Sequence, residues 1–204
     1  MGIKAVIFDY GQVISLPQDP SVIDRLADLA GAESGKFEEA LWGFRDEFDR
    51  GTYTAKQYYE KILSSLGIAA DGKKIEALVE RDLMSWRDIN SETVALMEDV
   101  KKAALTLGVL SNMPHEFLAW ARKGVPVFSV SQVNLFSCEL NLVKPEKAIY
   151  EKLLSVLNME AGEVVFFDDK EVNVTAAKDL GIKAFLWKEA GQARGELLSL
   201  GISL

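Results

Sequence analysis

The sequence is poor in the residues that mark several large classes of protein. Its one cysteine, Cys138, cannot close a disulfide within the chain, and the apolar residues around it predict a buried, unreactive thiol. No apolar run approaches the roughly 20 residues of a membrane-spanning helix, and the run before Asp9 is too short for a secretory signal peptide. We therefore expect a cytoplasmic protein that does not cross a membrane.

An excess of positive charge is also lacking. The chain has 31 acidic and 23 basic residues, and its formal net charge is −8. Such a balance repels the phosphate backbone of nucleic acids and the anionic surface of membranes. Hydrophobic residues make up 49% of the chain and charged residues 26%, which is typical of a folded globular protein. We expect neither nucleic acid nor a membrane as a partner, and no sequence pattern indicates the oligomeric state.

Short apolar runs alternate with helical patterns over much of the chain. The runs have the β-branched and aromatic composition of strands buried on both faces. They lie at residues 3–8, 105–110 and 164–167, with weaker ones at 133–140 and 182–187. Helical patterns between them lie at residues 92–104, 116–123, 146–157 and 172–180. Strand alternating with helix predicts an α/β fold built on a doubly wound parallel sheet.

A long segment after the first strand breaks this alternation. Four helical patterns follow one another there without a convincing strand, at residues 22–30, 35–49, 54–66 and 73–86. Turn-forming residues flank the segment at 16–20 and 88–90. We predict a core domain of residues 1–16 and 89–204 and an inserted α-helical cap domain of residues 17–88.

Polar residues end or follow three of the predicted strands. They are Asp9, Ser111 and the pair Asp168 and Asp169, and Lys144 lies between the last two strands in sequence. The carboxyl ends of parallel strands meet at one edge of a sheet, so we expect these residues to converge. Carboxylates can hold Mg²⁺ or attack phosphorus, while a hydroxyl and a lysine can neutralise phosphoryl oxygens. The set predicts phosphoryl chemistry.

Four motifs, in this order, resemble those of the haloacid dehalogenase (HAD) superfamily of Asp-nucleophile phosphatases. They are VIFDYGQV at residues 6–13, GVLSN at 108–112, VKPE at 143–146 and FFDDKEVN at 166–173. An insertion between the first two motifs is similar to the helical-cap subfamily, and residues 45–51 resemble cap segments of its bacterial members. The resemblance covers essentially the whole chain.

The resemblance implies a role for each motif residue. It implies that Asp9 is the nucleophile and forms an aspartyl-phosphate. It also implies that Ser111 and Lys144 contact the phosphoryl group, so that these three are the catalytic residues. It implies a Mg²⁺ ion held by Asp9, the backbone carbonyl of Gly11 and Asp169, with Asp168 either beside it or one layer behind. The substrate-binding candidates are Asn112, Gln12 and Arg45, of which Arg45 would reach from the cap.

Position 11 departs from the commonest pattern of the family. That pattern has a second Asp two residues after the nucleophile, which protonates the leaving group, whereas this chain has Gly11. The departure resembles the family's Asp-x-Gly-Asn/Gly branch, which includes sugar-phosphate phosphatases. A positioned acid contributes about 10²- to 10⁴-fold, so the enzyme needs a good leaving group or another acid. His115, the single histidine, is a candidate for that acid, and a histidine in the first turn of a helix is the simpler interpretation.

The leading hypothesis is a Mg²⁺-dependent phosphatase of a small phosphorylated metabolite, with sugar phosphates as a candidate class. The first alternative is a 2-haloacid dehalogenase, in which the same Asp displaces halide without a metal. Adjacent acids at positions 168 and 169 disfavour it, since they would repel a haloacid carboxylate.

Two further alternatives are not hydrolases. A catalytically weak HAD-like protein that binds a ligand or a partner would be compatible with Gly11. A receiver-type phosphorylation switch also uses acids, a hydroxyl and a lysine on a doubly wound sheet. It lacks a cap, however, and carries its acid pair on the first strand.

Overall fold

The computed structural model describes residues 2–204, and its centre is a sheet of five parallel strands. The strands are β1 (Ala5–Phe8), β2 (Thr106–Ser111), β3 (Val133–Phe136), β4 (Val164–Asp168) and β5 (Lys183–Leu186). Their order across the sheet is β3-β2-β1-β4-β5. Ala5 of the central strand stands opposite Thr106 on one side and Val164 on the other. The predicted α/β fold with a doubly wound parallel sheet is confirmed.

A set of helices lies between β1 and β2, and we call residues 17–88 the helical insertion. The helices are α1 (Val22–Ala30), α2 (Ser34–Gly43), α3 (Arg45–Asp49), α4 (Ala55–Ser65) and α5 (Gly72–Met84). Side chains satisfy the free amides at several of their first turns. Thr54 and Gln57 form a reciprocal capping box at α4, and the Asp71 carboxylate accepts from two amides of α5.

The helical insertion has a hydrophobic core of its own. Its largest fully buried side chains are Leu26, Phe37, Phe48, Tyr58 and Tyr59. The two connections to the sheet lie side by side, because Ser15 and Ile89 form an antiparallel bridge and the Leu16 amide donates to the Asp88 carbonyl at 2.7 Å. These contacts support the proposed division between residues 1–16 with 89–204 and residues 17–88.

Helices cover both faces of the sheet. They are α6 (Ser91–Lys102), α7 (His115–Gly124), α8 (Val127–Val130), α9 (Ser137–Leu140), α10 (Lys147–Leu157), α11 (Glu171–Asp179) and α12 (Ala190–Ser199). Helices α6, α7 and α12 bury apolar residues against one face, and α10 and α11 against the other. None of the helices within residues 2–204 has both the length and the apolar character that crossing a bilayer requires.

Alternate residues of the strands supply the two cores. Val6 and Phe8 of β1 belong to the core beneath α6, α7 and α12, whereas Ile7 belongs to the core beneath α10 and α11. Gly108 of β2 lies close to both neighbouring strands, because a Cβ there would lie 2.6 Å from Cδ1 of Ile7 and 3.0 Å from the Val133 carbonyl oxygen. A larger residue would require the Ile7 side chain and the Val133 backbone to shift.

Two predicted elements differ from the structure, and one helix of the structure was not predicted. The helix expected at residues 35–49 is broken at Phe44, whose backbone (φ −107°, ψ 0°) separates α2 from α3. The strand expected at 133–140 ends at Phe136, and its apolar pattern continues into α9, which packs against α3 of the insertion. Helix α12 was not predicted, because two glycines and its weak amphipathic pattern hide it in the sequence.

Candidate active site

The order of the strands opens a crevice between β1 and β4. The chain leaves β1 toward β2 on one side and β4 toward β5 on the other, and ligands of such sheets bind at this reversal. Asp9 follows β1 directly, Asp168 is the last residue of β4, and Asp169 comes next. Carboxylate oxygens of these three residues lie within 4.8 Å of one another. The structure thus brings the predicted acids together.

Lys144 lies between two of these acids. Its Nζ is 2.7 Å from Oδ1 of Asp9 and 2.6 Å from Oδ2 of Asp168, and all three side chains are buried. Burial alone would lower the pKa of the Lys144 ammonium, but the two carboxylates raise it above its ordinary value. Lys144 is therefore a permanent positive charge beside Asp9.

Asp168 is held by donors on both of its oxygens. Oδ2 accepts from Lys144, and Oδ1 accepts from the Lys170 amide and from Nδ2 of Asn173, each at 2.9 Å. This arrangement orients Lys144 toward Asp9. Asn173 was not among the predicted site residues, although it stands five residues after Asp168 in the fourth motif and was within reach of sequence reasoning.

Asp169 is more accessible than Asp168 and bonds to the turn after β1. Its Oδ2 accepts from Nε2 of Gln12 at 2.8 Å. Gln12 has a left-handed backbone (φ 59°) inside the irregular turn Tyr10–Ile14. The backbone N–H of Gln12 donates to the Ser15 hydroxyl at 2.9 Å. Burial, followed by the charges of Asp9 and Asp168, raises the pKa of Asp169 to about 7.

Ser111 and Asn112 follow the neighbouring strand. Ser111 is the last residue of β2 and is buried, and its hydroxyl lowers the pKa of the Asp9 carboxyl. Burial raises the pKa of Asp9 by more than Lys144 and Ser111 lower it, so the pKa of Asp9 lies above its ordinary value. The Asn112 amide forms two hydrogen bonds with the backbone of Lys144, donating to its carbonyl at 3.0 Å and accepting from its amide at 2.8 Å. The predicted substrate-binding residue Asn112 thus positions Lys144.

The donor set fits a hard divalent cation. Asp9, Asp168 and Asp169 offer carboxylate oxygens close together, and among residues 2–204 Lys144 is the one ammonium within ion-pair distance of this group. Carboxylate and carbonyl oxygens are the ligands that Mg²⁺ prefers, and a cation would offset the surplus of negative charge. Asp9 and Asp169 are better placed than Asp168 to bind such a cation, because each has one oxygen without a protein donor within residues 2–204, whereas both oxygens of Asp168 accept from protein donors.

A cavity of about 290 Å³ lies between this crevice and the helical insertion. The core contributes Asp9, Asn112, Lys144 and Asp169 to its wall, and the insertion contributes Trp42, Arg45, Asp49 and Trp86. His115, the candidate substitute acid, is exposed and does not line the cavity. It faces Gly51 instead, where a Cβ would lie 2.8 Å from its Nε2.

Gly11 faces an aromatic ring of the insertion. A Cβ at this position would lie 3.4 Å from Cζ3 of Trp86, and the carbonyl of Trp86 accepts from the Tyr10 hydroxyl at 2.9 Å. Gly11 has an ordinary φ of −63°, so its identity is not dictated by a left-handed backbone. No ionisable side chain extends from position 11, and an indole ring lies where one would point.

The fold and the site define an α/β protein with a carboxylate–lysine centre beneath a helical insertion. The family model of the haloacid dehalogenase-like hydrolases matches residues 3–181, so the chain belongs to this family of hydrolases.

Curated relatives span the chain at low identity. Phosphatase MT3486 of Mycobacterium tuberculosis is 25% identical and covers 100% of this chain and 98% of that relative. The D-ribitol-5-phosphate phosphatase of Bacteroides thetaiotaomicron is 23% identical, and the match covers 96% of this chain and 97% of that relative. Bifunctional epoxide hydrolase 2 of Mus musculus is 25% identical over 97% of this chain, but the chain spans only 38% of its length.

Solved structures share the fold. A HAD family enzyme of Bacteroides thetaiotaomicron has a TM-score of 0.78 at 23% identity, covering 97% of this chain and 99% of that chain. A structure of that enzyme with magnesium and inorganic phosphate has a TM-score of 0.73 at 22% identity, covering 92% and 96%. An L-2-haloacid dehalogenase has a TM-score of 0.70 at 18% identity, covering 91% and 86%. At these identities the likeness establishes the fold alone.

Proposed function

We propose that this hydrolase is a Mg²⁺-dependent phosphatase of a small phosphorylated metabolite, with sugar phosphates as the candidate class. The observation that carries the proposal is the position of Lys144, whose ammonium contacts both Asp9 and Asp168 at the floor of the cavity. A nucleophile, a fixed cation and a further carboxylate at Asp169 form a set that phosphoryl transfer requires.

Asp9 is the proposed nucleophile. One of its carboxylate oxygens attacks phosphorus as the bond from phosphorus to the leaving oxygen breaks, which forms an aspartyl-phosphate. The leaving oxygen keeps the electron pair of that bond and takes a proton from water after it departs, since position 11 has no acidic side chain. Water then attacks this intermediate, releases inorganic phosphate and restores the carboxylate. Lys144 and the Ser111 hydroxyl donate to the phosphoryl oxygens, where negative charge has to be stabilised.

The metal would be held by Asp9, Asp169 and the backbone carbonyl of Gly11, with Asp168 behind them. When bound, Mg²⁺ supplies positive charge that lets the anionic phosphoryl group approach the carboxylates. Gln12 orients Asp169 through the 2.8 Å hydrogen bond between Nε2 and Oδ2. Asn173 and Asn112 do not react, but they fix Asp168 and the backbone of Lys144.

The helical insertion is the proposed cap over this site. It closes a cavity of about 290 Å³ against the core, which suits a metabolite of modest size. Such closure keeps bulk water away from the aspartyl-phosphate until the leaving group has departed. Two relatives that cover nearly the whole chain are named as phosphatases, which supports the same activity here.

The proposal is tested by phosphate release from p-nitrophenyl phosphate and from a panel of sugar phosphates, with Mg²⁺ and with excess EDTA. Turnover should require Mg²⁺, and Asp9→Asn should lower it by at least about a thousandfold because an amide is a poor nucleophile. Asp179→Asn, an exposed site on α11, is the matched control and should retain full activity.

Three results would contradict the proposal. Full activity in EDTA would remove the metal from the mechanism, and release of halide from a 2-haloacid under the same conditions would favour the dehalogenase alternative. Asp9→Asn with unchanged turnover and an unchanged circular dichroism spectrum would exclude Asp9 as the nucleophile.

A further inference from the structure

Arg45 reaches the cavity from the helical insertion, but its charge is already balanced. Its Nε donates to Oδ1 of Asp49 at 2.9 Å, and its Nη1 lies 3.7 Å from Oδ2 of Asp82. All three side chains are largely buried, and the Tyr59 hydroxyl donates to the same Asp82 oxygen at 3.0 Å. Two carboxylates therefore face one guanidinium inside the insertion.

The other charges at this end of the cavity do not leave a surplus of cation either. Asp19, at the rim, is paired with Arg25 at 2.6 Å. Lys170 is exposed, and its Nζ lies 5.8 Å from the centre of the Trp42 ring. A second anionic group on a substrate would meet as many carboxylates as cations here, and would lose its hydration without gaining a dedicated partner.

Arg45 nevertheless has hydrogen-bond donors to offer. Its one hydrogen bond within residues 2–204 runs from Nε, and Nη1 faces Asp82 at 3.7 Å, which leaves the two N–H groups of Nη2 for a ligand in the cavity. The rings of Trp42 and Trp86 lie 5.9 and 5.8 Å from its Cζ, and both rings line the cavity. A neutralised guanidinium set between aromatic faces suits hydroxyl oxygens on a partly apolar carbon chain.

We propose that the insertion end of the cavity recognises an uncharged polyhydroxyl leaving group and disfavours phosphate esters that carry a second anion. Arg45 is the specificity-determining residue that donates to hydroxyl oxygens. Asp82 acts through Arg45, as a positioning residue that cancels its charge without lining the cavity. This inference rests on the proposed phosphatase function and names the substrate class for the same site.

The test uses pairs of esters that differ only at the end far from the phosphate. Sorbitol 6-phosphate ends in a neutral alcohol and 6-phosphogluconate in a carboxylate, and glycerol 3-phosphate and 3-phosphoglycerate form a shorter pair. In the wild type kcat/KM should favour the alcohol of each pair by about tenfold or more, because the carboxylate loses its hydration without gaining a dedicated partner. Asp82→Asn removes one balancing charge, and this preference should shrink at least about threefold.

Tyr59→Phe is the matched control for Asp82→Asn. It removes the hydrogen bond to Asp82 but no charge, so the ratio between paired substrates should stay within about twofold of the wild type. The ratio, unlike the absolute rate, does not move when a variant is merely less well folded. Arg45→Lys keeps the charge but loses the planar donors, and should lower kcat/KM for the alcohols more than for p-nitrophenyl phosphate.

Binding to Asp9→Asn, measured by calorimetry for the same pairs, separates this inference from the proposed function. If the wild type releases no phosphate, but Asp9→Asn binds each alcohol ester more tightly than its carboxylate partner, the phosphatase proposal fails and the proposed recognition stands. If phosphate is released but each carboxylate ester is used as well as its alcohol, the recognition is overturned and the phosphatase stands. A preference for the carboxylate ester in the wild type that disappears in Lys170→Gln would also overturn the proposed recognition, because it would show that Lys170 binds the distal anion.

Discussion

Arg50 of the helical insertion and Glu146 of the core form a two-pronged ion pair, with Nη1 to Oε2 at 3.1 Å and Nη2 to Oε1 at 2.7 Å. Glu146 stands two residues after Lys144, and its Oε2 also accepts from the Val143 amide at 3.2 Å. The pair therefore joins the insertion to the loop that carries the lysine of the site, in a planar geometry that favours arginine.

Arg50→Gln should loosen this connection without removing any group from the reaction. We expect KM for phosphate esters to rise about two- to fivefold, with a smaller change in kcat, because the pair is partly exposed and screened. Steady-state kinetics at two salt concentrations measures this. Glu151→Gln breaks the exposed Lys147–Glu151 pair, both of whose residues belong to α10, and is the control. An unchanged KM in Arg50→Gln would show that the pair does not govern closure.

Lys144→Met should be costly for stability as well as for turnover. It leaves the carboxylates of Asp9 and Asp168 buried without their counter-charge, and removing one partner of a buried ion pair costs about 3–5 kcal/mol. Urea unfolding in EDTA measures this loss. Lys147→Met, three residues further along at an exposed position, should cost less than about 1 kcal/mol. Equal stabilities of the two variants would contradict the ion-pair assignment.

Gly11 predicts a steep dependence on the leaving group. With no acid at position 11 and His115 outside the cavity, aryl and anomeric phosphates should be hydrolysed much faster than simple alkyl phosphates. The φ of −63° allows Gly11→Asp, and the 3.4 Å approach of Trp86 is an ordinary contact. This variant should accelerate the alkyl esters selectively, by up to about 10²-fold.

A leaving-group series on the wild type, Gly11→Asp and Gly11→Asn checks that prediction. The amide of Gly11→Asn has the same size but no acidic proton, so it should give no selective gain. His115→Ala should leave the series unchanged. A flat series in the wild type would mean that another acid already protonates the leaving group.

Cys138 should be inert toward alkylation in the folded protein. Its side chain is 6% exposed, and burial, with a smaller effect from Glu139, raises the pKa of the thiol to about 12. Because the thiolate is the reactive form, iodoacetamide at pH 8 should react about a thousandfold more slowly than with a free cysteine. Intact mass measured before and after unfolding in urea checks this. Rapid modification of the native protein would place the thiol at the surface.

The elements predicted well from the sequence are those whose signal is local. The strands β1, β2 and β4 are continuous apolar runs that end abruptly in polar residues, so their positions and their common edge follow from short motifs. The end of β3 at Phe136 does not follow, because the residues after it include Cys138 and Leu140 and form α9, a short helix that contacts α3 of the insertion. That contact joins residues far apart in sequence, and no local pattern records it.

The same distinction applies to the site. Asp9, Lys144 and Asp169 were identified because each belongs to a short motif. Trp86 and Asp82 were not, because they come from the helical insertion and reach the site or Arg45 only through the packing of α5. The residues at the strand ends belong to short sequence motifs, whereas the residues of the insertion reach the cavity only through tertiary contacts.

The bridge between Ser15 and Ile89 brings the two ends of the helical insertion together, so the insertion is a replaceable module. The chain departs from and returns to the core at neighbouring points, so 72 residues could be exchanged for another helical segment with the same two ends. Such a graft would carry a new specificity onto an unaltered reaction centre, because Asp9 and Ser111 are anchored by the sheet beneath. For the proposed phosphatase, exchange of the insertion would change which ester is bound while the groups that cleave it stay the same.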